Sequence, residues 1–393
     1  MKYFYLQSIL HDGSELKKKA SDLFDYVKQK TGINFVDASL DNVKDENVSL
    51  VYVASGGTAG LFKEALPHLK EPVIIITSGS DNSLSASMEM MTHLANEGKK
   101  GRLLHGTKEE VSDKLEQIAC ASKAVKELKG LRLALVGRPS DWLISTAVDY
   151  EALKEKTGIE VIEISIEELI SEIEKKSYPD NESCRALFEK DFDKNEIENS
   201  LAIYGAFSRL VEKYNLDGFS ARCFDLLTAV KNSGCLGMAL LNQEGIYSGC
   251  EADLPSLISM AILGKISGKP VFQCNPSRVR DGEIVFAHCT VPLNMPATYT
   301  LDTHFESNIG VAVAGDIPQG PATVFKASGD LERRFISGAY IEEALHEKDQ
   351  CRTQIRVSCK EDSDKFFNTP VGNHYLVCMG DYSEHLKEFF NLL

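Results

Sequence analysis

The spacing of apolar runs changes character once along this chain, and that change constrains its fold most. Up to about residue 268, short apolar runs alternate with stretches of helical periodicity. Leu50–Ala54 and Val73–Thr77 are continuous apolar runs, suited to parallel strands buried on both faces. Lys17–Thr31 places Ala20, Leu23, Phe24 and Val27 at helical spacing. A second unit with the same rhythm starts near Leu131. It has strands at Leu131–Val136, Ile159–Ile164 and Gly218–Ala221, and helices at Thr146–Thr157, Ala202–Tyr214, Phe224–Lys231 and Leu254–Ile266. Met238–Leu241 reads as a further strand-like run. Such alternation predicts an α/β fold with doubly wound sheets and ligand contacts at the carboxyl ends of strands. From about Lys269 the rhythm gives way to short, turn-bounded strand segments, including Glu283–His288, Ala322–Ala327 and Tyr375–Met379. Their close spacing with few helices predicts an antiparallel sheet or barrel.

Bulk properties narrow the function classes. With 393 residues the chain is too long for one compact core. A net charge of −15 argues against nucleic acid or an anionic membrane as the main partner. No apolar stretch approaches the length of a membrane span. The N-terminal segment reads as a first strand, without a signal-peptide cleavage site. Ten scattered cysteines with no CxxC pair argue against a zinc ribbon. Reduced thiols and a cytoplasmic location are the expectation.

Several polar groups stand where an α/β core should offer apolar ones. Gly249-Cys250-Glu251-Ala252-Asp253 ends an apolar run and opens a helix. Glu251 and Asp253 lie two apart, so their side chains diverge and one at most faces a given ligand. Asp253 suits the role of a helix N-terminal acid. His288, His304 and His374 fall at or near strand ends of the β-rich region. Imidazole with carboxylate suits Mn²⁺, Fe²⁺, Co²⁺ or Zn²⁺, and the first reading sets a metal site between Glu251 and His288. Ser55-Gly56-Gly57-Thr58-Ala59-Gly60 could present N–H groups to an anion but lacks a dinucleotide or P-loop fingerprint, so a tight β-to-α turn is the simpler reading. Arg138, in Gly137-Arg138-Pro139-Ser140, could reach a polar substrate or lie free on the surface.

In order along the chain, Ala221-Arg222-Cys223-Phe224, Gly249–Asp253, Lys269-Pro270-Val271-Phe272, Ala287-His288-Cys289, His304-Phe305-Glu306-Ser307 and Gly372-Asn373-His374-Tyr375 resemble the L-fucose/L-arabinose isomerase superfamily, in its fucose-isomerase-like branch. The resemblance implies two Rossmann-like α/β N-terminal domains followed by a β-rich, barrel-like C-terminal domain. Combined with the rhythm, it sets domains at 1–128, 129–268 (carrying Glu251) and 269–393. It implies a homotrimer or homohexamer with active sites at subunit interfaces, a divalent metal, usually Mn²⁺, and aldose–ketose interconversion through a cis-enediol. By motif, Glu251 matches a metal-binding glutamate that also acts as acid/base, and His374 matches the C-terminal metal-binding histidine. His288 and His304 become substrate contacts. A second acid/base carboxylate is expected just after Val271-Phe272, where this chain has Asn275. An amide oxygen can ligate a hard cation or meet a sugar hydroxyl, but it cannot act as a base. Asp281, Asp302 or a metal-bound hydroxide would then take the second role. Two other readings stay open: a sugar-binding paralogue that does not isomerise, and an epimerase or lyase on the same scaffold. Arg138, Arg222, Arg278 and Arg280 could hold an anionic group at C6 of a hexose, such as the sulfonate of sulfoquinovose.

Overall fold

Strands β1 (Lys2–Leu6), β2 (Val36–Ala38), β3 (Val48–Val53), β4 (Leu69–Thr77) and β5 (Gly101–Leu104) form one parallel sheet in the order β2-β1-β3-β4-β5. A computed structural model of the chain describes residues 1–11, 13–38, 48–280 and 282–393. They divide into two compact units, Met1–Cys120 and Ala121–Asn391. In the first unit the continuous apolar runs serve both faces of the sheet. Val51, Val53 and Ile75 enter one core, and Leu50, Tyr52 and Ile74 enter the other. The alternation follows from the two-residue period of a strand. Ser55–Gly60 is the turn that leaves β3. A Cβ at Gly56 would stand 2.9 Å from Cβ of Asn82, and its N–H is already bonded to Asp81 O at 2.6 Å. Glycine therefore serves the close approach of two turns.

The second unit joins a parallel sheet to a barrel through one core. Strands β6 (Arg132–Val136), β7 (Glu160–Ile164), β8 (Gly218–Ala221) and β9 (Tyr247–Cys250) pair in the order β7-β6-β8-β9. Strands β10 (Phe272–Arg280), β11 (Glu283–His288), β14 (Gly320–Ala327), β15 (Arg334–Leu345), β16 (Thr353–Cys359) and β17 (Tyr375–Met379) close an antiparallel barrel in the order β10-β11-β16-β15-β14-β17. β12 (Thr298–Asp302) and β13 (Ala312–Asp316) form a separate two-stranded ribbon that packs beside β15 and β16. The predicted mixture of parallel α/β sheets and a β-rich barrel is thus what the chain forms. Val136 and Phe219 from the sheet share a continuous apolar cluster with Phe286 and Val377 from the barrel. The helix Leu254–Ser267 lies against β8, β9, β14 and β17 and buries nearly its whole circumference. A helix apolar all round is what a position between sheet and barrel requires.

One segment departs from the sequence reading. Met238–Leu241 is not strand-like but lies inside the helix Cys235–Gln243. That helix is buried on all sides, so it has no polar stripe, and four apolar residues alone cannot distinguish helix from strand.

Candidate active site and metal centre

Strand register brings the polar groups together. Cys274 pairs with Tyr375 across β10 and β17, and Asn275 pairs with Ala287 across β10 and β11. Asn275, His288 and His374 therefore sit at one end of the barrel, one residue from each other's pairing partners. Glu251 arrives from the sheet, directly after the carboxyl end of β9. Glu251 and Ala252 both have left-handed backbone, with φ of 67° and 54°. Two such non-glycine residues cost on the order of 1–2 kcal/mol each. The turn is held by Ser140 N–H on Glu251 O at 3.1 Å and Ala252 N–H on Ala221 O at 3.1 Å. Strain of this kind, over-determined by its surroundings, is concentrated at functional sites.

Glu251, His288 and His374 are all buried, and one ligand atom from each lies within 4.8 Å of the others. His374 Nε2 faces Glu251 Oε1 at 3.7 Å and has no hydrogen-bond partner among the described residues. A buried ring nitrogen without a partner is costly, and a cation would satisfy it. The other nitrogen, Nδ1, is bonded to Asp253 Oδ2 at 2.8 Å. That carboxylate–histidine arrangement orients the ring and turns Nε2 toward Glu251, where a cation would take the place of its proton. Asp253 also caps the helix Leu254–Ser267 through Ser256 N–H at 2.9 Å, and its Oδ1 stands 3.6 Å from the fully buried Lys326 Nζ. His288 Nδ1 contacts Thr290 Oγ1 at 2.9 Å, so its ring orientation is fixed too. The donor set of two imidazoles and a carboxylate suits a borderline divalent metal.

Electrostatics fit these roles. Burial pushes the His288 imidazole down to about 4, with the charge on His374 acting the same way, so His288 is neutral near pH 7. Burial also pushes His374 down, but the carboxylates of Asp253 and Glu251 outweigh it and lift the imidazole to about 9. Burial acts to raise both of those carboxyls. For Glu251 it is overcome by His374 and the Trp142 N–H; for Asp253 it is overcome by Lys326, His374 and Ser256. Both remain ionised, Asp253 well below the usual carboxylate range.

Glu251 and His288 line a cavity of about 540 Å³, with His374 buried behind them. Asn275 lines it, half-buried, with Nδ2 3.4 Å from Asn373 O. His304 lines it as well, its Nδ1 3.0 Å from Ser307 Oγ. Arg278 is the guanidinium among the described lining residues, and it is paired with Glu347 at 2.6 Å. Arg138 and Arg222 do not line this cavity. They border a separate one at the carboxyl ends of β6 and β7, where Arg222 is tied to Asp141 and Asp225 at 3.0 Å each. Asp302 pairs with Arg352 at 3.4 Å, and Asp281 lies outside the described residues. The sequence reading did not give a role to Trp142, Lys326, Glu306 or Asp349. It took Asp253 only as a helix-terminal acid.

Comparison with known proteins adds an independent line. No family model matches the chain. It aligns over 310 positions with the sulfoquinovose isomerase of Clostridium sp. (strain MSTE9), at 26% identity, covering 72% of this chain and 68% of the relative. The sulfoquinovose isomerase of Priestia megaterium is 22% identical over 394 positions, covering 92% and 88%. That of Alkalicoccus urumqiensis is 20% identical over 389 positions, covering 91% and 88%. The chain is similar to sugar isomerases. Their names, over aligned stretches that reach across most of the chain, support a sugar isomerase, an intramolecular oxidoreductase. No helix among the described residues is long and apolar enough to cross a membrane.

Proposed function

We propose that this protein is a metal-dependent aldose–ketose isomerase of the fucose-isomerase-like kind, acting on a hexose with an anionic C6 group, of which sulfoquinovose is the named example. The observation that carries the reading is the buried Glu251–His288–His374 group, in which His374 Nε2 has no hydrogen-bond partner among the described residues, beside a cavity that Glu251 and His288 line, in a chain similar to sulfoquinovose isomerases. Glu251, His288 and His374 would hold the cation, with Mn²⁺ the first candidate, and Asn275 is placed to add a neutral oxygen or meet a sugar hydroxyl. When bound, such a cation polarises neighbouring sugar oxygens and lowers the cost of an enediolate. Isomerisation moves one hydrogen from C2 to C1 and one from O2 to O1, so it needs no external oxidant. Glu251, ionised and buried, is the leading base for the carbon-bound proton. Glu306 and Asp349 also line the cavity and offer carboxylates for the second transfer, which Asn275 cannot perform. The same reading expects a cytoplasmic homotrimer or homohexamer.

Incubation of Mn²⁺-loaded protein with a panel of aldoses in D₂O tests the activity. Ketose product, with deuterium at C1 of the ketose and, after reversal, at C2 of the aldose, is expected, and a chelator should abolish it until Mn²⁺ is restored. Exchange with an inverted aldose would instead indicate an epimerase. No exchange across a panel that includes sulfoquinovose would sink the isomerase reading.

Arg278 is the candidate for the C6 anion, because its guanidinium lines the cavity and already binds a carboxylate. A lost charge-assisted hydrogen bond costs about 1.5–3 kcal/mol, or roughly 10- to 150-fold. Arg278→Gln should therefore raise KM for sulfoquinovose by about tenfold or more while changing that for glucose little. Equal changes for both sugars would remove Arg278 from anion recognition.

A further inference from the structure

The loop that leaves β6 is tied down at several points and ends on the candidate metal site. Arg222 Nη1 donates to Pro139 O at 2.7 Å, and its Nη2 donates to Asp141 Oδ2 at 3.0 Å. Ser140 N–H donates to Glu251 O at 3.1 Å. Gly137 turns with φ of 82°, and a Cβ there would stand 3.0 Å from Cβ of Arg222. These tethers deliver Trp142, the one tryptophan of the chain, onto Glu251. Its indole Nε1–H donates to Glu251 Oε2 at 2.6 Å. The ring meets Phe224 edge-on at 4.9 Å, and Phe224 meets His304 edge-on at 5.4 Å. All three line the cavity, and Trp142 remains 52% exposed.

We propose that Trp142 is the positioning residue of the metal site and the aromatic wall of the sugar cavity, a role that rests on the isomerase reading for its substrate but not for its metal. The carboxylate of Glu251 has two oxygens with different neighbours. Oε2 is claimed by the indole, and Oε1 is left facing His374 Nε2. An indole N–H can only donate, and to an ionised acceptor that bond is strong and directional. It fixes the rotamer of a side chain whose backbone is already strained. It also leaves a single oxygen directed toward His374. The exposed ring, held square to Phe224, offers an apolar face to the carbon-bound hydrogens of a sugar, as an amphipathic aromatic at a wet cavity does. Arg222 acts at one remove: it holds the loop and so the indole.

A single tryptophan permits an unusually clean test. Residue-wide replacement of tryptophan by benzothienylalanine in the full-length protein changes only position 142, keeps the ring shape and removes the N–H. Mn²⁺ binding is read from the resonance signal of free Mn²⁺, without any sugar. Affinity should weaken by roughly tenfold or more, the usual scale for losing a partner that orients a metal ligand. In turnover, kcat should fall by a similar factor with KM within about twofold, because the wall is intact. Trp142→Phe should show the same loss of Mn²⁺ affinity, and Trp142→Ala should add a rise in KM. In the natural protein, saturation with sulfoquinovose should shift the Trp142 fluorescence. Unchanged Mn²⁺ affinity in both the benzothienylalanine protein and Trp142→Phe, or no Mn²⁺ binding by the natural protein, overturns the positioning role. A Trp142-dependent Mn²⁺ affinity in a protein that turns over no sugar upholds it and removes the isomerase reading instead.

Discussion

Glu251→Gln should abolish measurable isomerisation while leaving the fold in place. General acid–base groups contribute about 10²–10⁴ to rate, and here the same side chain is also proposed to supply the negative charge of the metal site. Glutamine is nearly isosteric, and its amide oxygen can still accept the Trp142 N–H that now meets Oε2. It keeps the strained turn at 251–252, which is held by backbone bonds to Ser140 and Ala221. Far-UV circular dichroism and the melting temperature should therefore stay close to those of the natural protein. Mn²⁺ affinity should fall together with kcat, since a neutral amide neither attracts the cation nor takes a proton. Turnover near the natural rate in this variant would remove Glu251 from the mechanism.

The parts of this site that the sequence reveals are those with a local signature. The α/β rhythm and the switch near Lys269 follow from periodicity, which reports one segment at a time. Glu251 is visible because a carboxylate at a strand end interrupts an apolar run. The residue-level pairing of Glu251 with His288 brings together two members of the buried group; the resemblance shifts emphasis to His374, and the fold gathers all three. Other partnerships have no local trace. Trp142 meets Glu251 across 109 residues, and Asp253 meets His374 across 121. Lys326 sits on β14 among apolar neighbours, and the packing of the helix Leu254–Ser267 against β14 brings it to Asp253. Arg138 and Arg222 show the converse limit. Their charge is plain in the sequence, but both border a different cavity, and Arg222 is engaged in holding the loop after β6.

Metal-induced stabilisation should grow as pH rises from about 6.5 to about 9, and Asp253→Asn should flatten that dependence. The sign follows from His374. Its imidazole ordinarily titrates near 6.5 and is lifted to about 9 in the folded protein, where burial is outweighed by Asp253 and Glu251. A raised folded value stabilises the metal-free protein fully below about 6.5, and that contribution is lost as pH climbs through about 9. A cation at Nε2 must displace the proton there, so apparent affinity rises by up to about tenfold per pH unit across the same window. Asp253 and Glu251, both held below their ordinary values, stay ionised throughout and add no slope of their own. The gap between melting temperatures with and without Mn²⁺ should thus widen from pH 6.5 to 9. Asparagine at 253 can still cap the helix through Ser256 N–H, but it no longer lifts His374 or fixes its tautomer. It also leaves Lys326 as a buried cation without its partner, at a cost of about 3–5 kcal/mol. Adding Lys326→Met to Asp253→Asn should recover most of that stability without recovering Mn²⁺ affinity, because the two carboxylate roles are separable. An Asp253→Asn protein with natural Mn²⁺ affinity and an unchanged pH slope would show that His374 is oriented by something other than Asp253.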